Sequence, residues 1–238
     1  MYFWNYLTKP VWNNALSYKE RLNFNPNPKL FIPEIKNIGQ ITQQKLDKYL
    51  QIWDKIVFEE VFDNRFFPKK WLKYYLEWFI WKTKIYIFDN HNVAFYFIGK
   101  FFLETNKKLN LIHIDQHSDM REPKFIPTKL NTLEDIEKYT FEWTNVGNYL
   151  IPLKKLWFIE NIFQARSEYS VLEITNNLVK NQILNIDLDF WESNMATSIK
   201  SLNKVKNLIK EASLVLIATS PYFIDQNLAI KLAKQLLS

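Results

Sequence analysis

The sequence predicts an α/β protein: a parallel sheet covered by helices on both faces, three layers in all, preceded by a mainly helical N-terminal extension. Three observations carry this prediction. From residue 84 onward, short apolar runs alternate with stretches of helical periodicity. Strands that alternate with helices pair in parallel and are covered on both sides. The chain of 238 residues is 47% hydrophobic and 24% charged, which is enough for a real core within one domain. With no cysteine, neither a disulfide framework nor a thiolate metal site can substitute for that core.

Residues 1–83 read as an aromatic-rich extension packed on the core, and residues 84–238 as the α/β core, one compact domain overall. Asn25-Pro26-Asn27-Pro28 and Pro33 mark an irregular stretch. Leu46, Leu50, Trp53, Ile56 and Val57 fall at helical spacing and predict an amphipathic helix over 41–60. A second helix is predicted over Trp71–Trp81, whose crowd of aromatic residues reads as core. The core then opens with the apolar run Lys84–Phe88 as a strand, a helix over His91–Glu104 and a strand over Leu109–Asp115. Residues 120–150 read mostly as loop, with a short helix near Leu133–Tyr139. Strands are predicted at Leu156–Ile159, Val171–Ile174, Ile183–Asp187 and Ser213–Ala218, and helices at Ser198–Ala212 and Asp225–Leu237.

Charge and targeting signals narrow the function classes. The net charge of +6 is mild and the lysines are scattered without a nucleic-acid motif, so a solvated surface is expected and no nucleic-acid partner. No apolar run approaches the roughly 18 residues that span a bilayer. The first residues, Met1-Tyr2-Phe3-Trp4-Asn5, lack the basic-then-apolar layout of a secretion signal. The expectation is a cytoplasmic protein with no membrane partner. The oligomeric state is open, with a homo-oligomer one option.

The chemistry concentrates at strand ends. His113-Ile114-Asp115-Gln116-His117-Ser118-Asp119 closes one apolar run, Asp187-Leu188-Asp189 closes a second, and Phe88-Asp89-Asn90-His91 closes a third. In an open parallel sheet, ligands bind at the carboxyl ends of the strands, so these polar residues share one edge. Together they supply two imidazoles and four carboxylates: His91, Asp115, His117, Asp119, Asp187 and Asp189. Four crowded carboxylates repel and protonate unless cations neutralise them. One divalent ion leaves excess negative charge, whereas two balance it. Mixed carboxylate and imidazole ligands suit Mn2+ or Fe2+ better than Zn2+, and a pair of such ions is hydrolytic machinery. Taken singly, each element has a plainer reading: a surface Asp-x-Asp, a capping His91, or a core His113 bonded to a carbonyl. Their convergence favours a metal site.

These motifs resemble, in order and spacing, those of the ureohydrolase superfamily of arginase, agmatinase and formiminoglutamase. Phe88-Asp89-Asn90-His91-Asn92 stands where that superfamily has Gly-Gly-Asp-His-Ser, Asp115–Asp119 matches Asp-Ala-His-x-Asp, and Asp187–Asp189 matches Asp-x-Asp. The resemblance implies an arginase-like fold over roughly residues 84–237 and two Mn2+ per chain. One ion would be held by His91, Asp115, Asp119 and Asp187, and the other by Asp115, His117, Asp187 and Asp189. Asp119 is further implied in proton transfer, and His113 is the remaining histidine available for a catalytic part. The phrases HIDQHSDM, NIDLDFW and ATSPYFIDQNLA resemble a divergent branch that includes peptide arginases. That likeness implies an arginine-containing precursor peptide as partner, and its arginine converted to ornithine with release of urea in the maturation of a ribosomally made peptide.

The chain departs from the pattern at three points. The glycines before the first histidine are absent, Ala218 stands where arginases carry a guanidinium-binding glutamate, and the mobile shuttle histidine has no counterpart. Glu192, Asp225 and Glu104 are the candidates for orienting the guanidinium. Asn148, in a loop resembling the arginase Ser-Gly-Asn loop, and Ser220 are further substrate-binding candidates. The rival readings are a metal-dependent deacylase related to histone deacetylases, and a non-catalytic module that uses metal for structure.

Overall fold

The protein is described by a computed structural model over residues 18–21, 32–62, 65–192 and 199–238. The first part of the chain gives α1 (Tyr18–Arg21), β1 (Ile35–Gln40), α2 (Gln43–Tyr49), β2 (Ile52–Phe62), β3 (Arg65–Leu72) and β4 (Tyr75–Ile80). There follow β5 (Thr83–Phe88), α3 (Val93–Thr105), β6 (Leu109–Ile114), α4 (Leu133–Glu142), α5 (Leu150–Lys155) and β7 (Ile159–Ala165). The chain closes with α6 (Glu168–Glu173), α7 (Asn176–Val179), β8 (Ile183–Asp187), a 3-10 turn (Leu188–Trp191), α8 (Ile199–Ile209), β9 (Leu214–Ala218) and α9 (Gln226–Leu237).

Seven strands form one sheet in the order β1-β4-β5-β9-β8-β6-β7, and β2 pairs with β3 in a separate two-stranded ribbon. From β5 to β7 all neighbours are parallel; β4 runs antiparallel to β5, and β1 is parallel to β4. Strands β8 and β9 are buried along their whole length, as expected for a sheet covered on both faces. Alternation along β9 shows the two layers. Val215 and Ile217 face a core shared with Val205 and Leu208 of α8 and with Leu232 of α9. Leu214, Leu216 and Ala218 face a core shared with Phe95 of α3, Ile136 of α4 and Leu150 of α5. Gly99 lets α3 and α4 approach closely, since a Cβ there would lie 2.8 Å from Ile136 Cγ2.

Register aligns the carboxyl ends. Phe88 of β5 pairs with Ala218 of β9, Ala218 with Asp187 of β8, Ile186 with Ile114 of β6, and Ile114 with Ala165 of β7. The residues that follow these positions therefore emerge side by side.

The predicted N-terminal helices need correction. The extension is not mainly helical among the described residues, because it contributes β1 to β4. Only Gln43–Tyr49 of the helix predicted over 41–60 is helical, capped by the Thr42 hydroxyl, which accepts from the Lys45 N–H. Residues 52–62 are rich in β-branched and aromatic side chains and pair with β3. The segment Trp71–Trp81, also predicted as a helix, instead holds the end of β3 and all of β4. Its aromatic residues suit a strand between two others, and β4 joins β5 through a tight turn in which Trp81 takes φ 57. Residues Val171–Ile174 lie in and just past α6 and not in a strand, because Ser167 and Ser170 form a reciprocal cap that starts a helix. The strand predicted at Leu156–Ile159 begins only at Ile159. The helix α5 begins at the last residue of the stretch read as loop and runs through residues 151–155, to which no element was assigned. Residues 25–28 lie outside the described residues.

Candidate metal centre

Each predicted ligand follows from the end of a strand. His91 sits between β5 and α3, Asp115 directly after β6, and Asp187 at the last position of β8. The structure brings all six together. His91 Nδ1 lies 3.1 Å from Asp115 Oδ2, 3.2 Å from Asp119 Oδ2 and 3.1 Å from Asp187 Oδ2. His117 Nδ1 lies 3.4 Å from Asp115 Oδ1 and 3.1 Å from Asp189 Oδ2. Asp115 thus offers one oxygen to each half of the cluster. His91 and its three carboxylates are buried, whereas the His117 side chain is 50% exposed.

The donor set fits divalent cations. His91 Nδ1, Asp115 Oδ2, Asp119 Oδ2 and both oxygens of Asp189 are buried without a hydrogen-bond partner among the described residues. Orphaned lone pairs at this density are expensive unless something positive binds them. Among the described residues two groups have the spacing to hold a metal ion, His91 with His113 and Asp115, and Asp115 with His117 and Asp189.

Titration behaviour gives the same picture. Burial by itself would lower the His91 pKa, but the Asp187 charge and contacts with Asp115, Asp119 and Asp187 hold it well above the ordinary value. His117, close to the carboxylates of Asp115 and Asp189, is raised to about 10. Burial raises Asp189 to about 8, helped by the neighbouring Asp187 charge. Burial raises Asp119 as well. Asp115 goes the other way: contacts with His113, His117 and His91 overcome its burial and hold it well below the carboxylate range. With protons as its only cations, the cluster must take them up to balance its charge. Metal ions would replace those protons.

Around this cluster lies a layer of which the sequence reading named only His113. Asn185, fully buried in β8, accepts from His91 Nε2 at 3.2 Å through Oδ1, and its amide nitrogen donates to His113 Nδ1 at 3.1 Å and to the Tyr149 hydroxyl at 2.8 Å. His91 is thereby held with its Nδ1 lone pair toward the three carboxylates, as a metal-ligating imidazole is held by a partner on its other nitrogen. His113, also fully buried, turns Nε2 toward Asp115 Oδ2 at 3.3 Å. A signal was present in the sequence. His113 and Asn185 each interrupt an apolar run two residues before a carboxylate, hence on the same side of the strand, and β6 and β8 pair them directly.

The remaining candidates are placed as follows. Ser220, in the left-handed region at φ 42, donates its hydroxyl to Asp187 Oδ2 at 2.7 Å. Asp119 also takes a positive φ, of 51, a conformation that a short polar side chain tolerates. Asn148 closes a turn by accepting from the Asn145 N–H at 2.8 Å. Asp225 caps α9 and lines a separate cavity with Trp53 and Lys70. Glu192 ends the 3-10 turn, and Glu104 pairs with Lys84 and Lys100. The cavity over the cluster, about 380 Å³, is floored by Asp119 and Asp187 and reached past His117, with Arg121, Arg166 and Phe223 among its other walls. Beside the cluster, Asp89 replaces a glycine of the resembled motif. Its carboxyl is fully buried, accepts from the Tyr75 hydroxyl at 2.5 Å and is raised to about 7 by burial.

Among the described residues no helix is long and apolar enough to cross a membrane. Comparison with known protein families finds none that matches this chain, and comparison with curated proteins finds no relative. Among solved structures the chain is similar to the X-ray crystal structure of a hypothetical agmatinase from Burkholderia thailandensis, at 15% identity and a TM-score of 0.45. The match covers 64% of this chain and 56% of that one, so it spans little more than half the length of the solved protein.

Proposed function

We propose that this protein is a two-metal hydrolase of guanidino groups, with Mn2+ as the metal and a peptidyl arginine as the substrate, leaving ornithine and urea. One observation carries the reading: two adjacent clusters, each with an imidazole nitrogen, share the single carboxylate of Asp115. A structural ion needs one such cluster, whereas paired ions on a shared ligand suit hydrolysis.

In this reading His91, Asp115, Asp119 and Asp187 hold one ion, and Asp115, His117, Asp187 and Asp189 hold the other. Bound there, the pair of ions would acidify water toward neutral pH and so supply the nucleophile. The chain's own residues do the rest. Asn185 fixes His91, and the Ser220 hydroxyl fixes one oxygen of Asp187. Asp119, raised by burial and placed on the cavity floor, is suited to carry a proton from the attacking water toward the leaving amine. The cavity, about 380 Å³, has room for an arginine side chain.

The test is to incubate manganese-loaded protein with an arginine-containing peptide, with free arginine and with an acetyl-lysine peptide, and to read masses. A loss of about 42 Da from the arginine peptide, with urea released, is the expected result. Loss from free arginine alone would restrict the activity to the amino acid. Cleavage of acetyl-lysine alone would replace the reading with the deacylase, and no turnover of any of them with full metal occupancy would leave a structural metal module.

A further inference from the structure

The cavity over the metal centre is polarised. Its floor carries the buried carboxylates Asp119 and Asp187, while its exposed rim carries two guanidinium groups, Arg121 and Arg166. Both are held in place. Arg166 donates from Nε and Nη2 to the Gln116 carbonyl at 3.1 and 2.9 Å, which fixes its plane beside His117. Its Nη1 makes no hydrogen bond or ion pair among the described residues. Arg121 donates from Nη2 to Asn145 Oδ1 at 3.0 Å and lies against the backbone of Gly147. A Cβ at Gly147 would come within 2.5 Å of that guanidinium, so the glycine is what admits it. Apart from the two floor aspartates, no acidic side chain among the described residues lines this cavity.

Two fixed cations at the entrance oppose a substrate that is cationic at both ends, because charges lining a cleft focus its field. They favour one whose far end is negative. A planar guanidinium also matches a carboxylate geometrically, by paired N–H donors that an ammonium cannot supply in the same plane. We infer that the Arg166 guanidinium, supported by Arg121, is a carboxylate subsite. It selects guanidino substrates that carry an anionic group at the end away from the metal centre. This rests on the guanidine-hydrolase reading. The carboxylate has two possible sources, the α-carboxylate of a terminal arginine or an acidic side chain next to an internal one.

The test compares matched probes on the manganese-loaded full chain, by initial rates where they turn over and by calorimetry where they do not. One pair is acetyl-arginine and acetyl-arginine methylamide; the other is acetyl-Ala-Arg-Asp-amide and acetyl-Ala-Arg-Asn-amide. In at least one pair the carboxylate-bearing probe is expected to have a KM or Kd about tenfold lower. The pair that shows it identifies the source. Arg166→Gln should collapse that ratio to about one, and Arg166→Lys should restore only part of it. Manganese content, measured on both variants, should match the parent. Equal values within both pairs overturn the inference, as does a ratio that survives Arg166→Gln with both probes weakened alike, which would make Arg166 a brace for the Gln116 loop. Better use of agmatine than of either carboxylate probe overturns it as well. Selective binding without turnover keeps the subsite and removes the hydrolase reading; turnover without selectivity does the reverse.

Discussion

The two halves of the metal centre differ in how they are built. Around His91 everything is buried: the imidazole is 1% exposed, three carboxylates surround one nitrogen, and Asn185 occupies the other. Around His117 the ring is half open to the cavity, lies tilted against Phe223 at 5.0 Å between centroids, and faces two carboxylates. Burial removes competition from water and fixes ligand direction, whereas exposure admits substrate and lets a ligand leave. On the proposed two-ion reading, the inner half would retain an ion and the outer half would exchange one. Asp115 joins them.

The largest effect should come from cutting that joint. Asp115→Ala should take manganese from about two per chain to none, read by elemental analysis after dialysis; an ion retained at full occupancy would show that Asp115 is not shared. His117→Ala should separate the halves and leave about one ion per chain, with the hydrolysis rate lost. If both ions left together, the two halves would be one site. Next is the layer behind His91. Asn185→Leu should weaken inner-ion affinity by about 10–100-fold while His117 still binds its ion. Equal weakening at both sites would deny Asn185 a selective part.

Proton competition sharpens the same contrast. In the metal-free chain the raised values of His91, of His117 (about 10) and of Asp189 (about 8) mean that all three hold protons at pH 7. Metal loading must release them, so apparent affinity rises with pH from about 7 to 10 and falls on acidification. The sign for stability follows. A histidine whose folded pKa is raised contributes fully below its unfolded value, about 6.5, and loses that contribution as pH rises through the folded value. Asp189, raised by burial, opposes folding more as it ionises. The metal-free chain should therefore lose thermal stability with rising pH while the loaded chain does not, and the gap between their melting temperatures should widen; a constant gap would contradict it. Smallest is a control remote from both halves. Gly99→Ala forces Ile136 aside and should cost about 1 kcal/mol net, with overpacking of about 1–3 offset by roughly 1 from helix propensity, and leave metal content unchanged.

How far the sequence is legible differs between these regions too. The six candidate ligands can be located because each lies at or just past the end of an apolar run, and topology sends such ends to one edge. Strands β5, β6, β8 and β9 are legible for the same reason, since their runs are short, apolar and β-branched. Asn185 is not, because a single amide inside Ile183–Asp187 looks like an interruption until pairing sets it opposite His113. The N-terminal helices fail because crowded aromatic residues satisfy helical spacing and strand alternation alike, and only the tertiary partner decides. Strand β4 is settled by β1 and β5 on either side, which local periodicity does not contain. The helix α6 was hidden by an apolar triplet, although Ser167 and Ser170 mark its start.

The central claim is a pair of cations joined through Asp115, and anomalous diffraction from crystals grown with manganese tests it most directly. The account predicts two peaks, one against His91 Nδ1 and one against His117 Nδ1, with Asp115 between them. A single peak, or two that share no ligand, would contradict it.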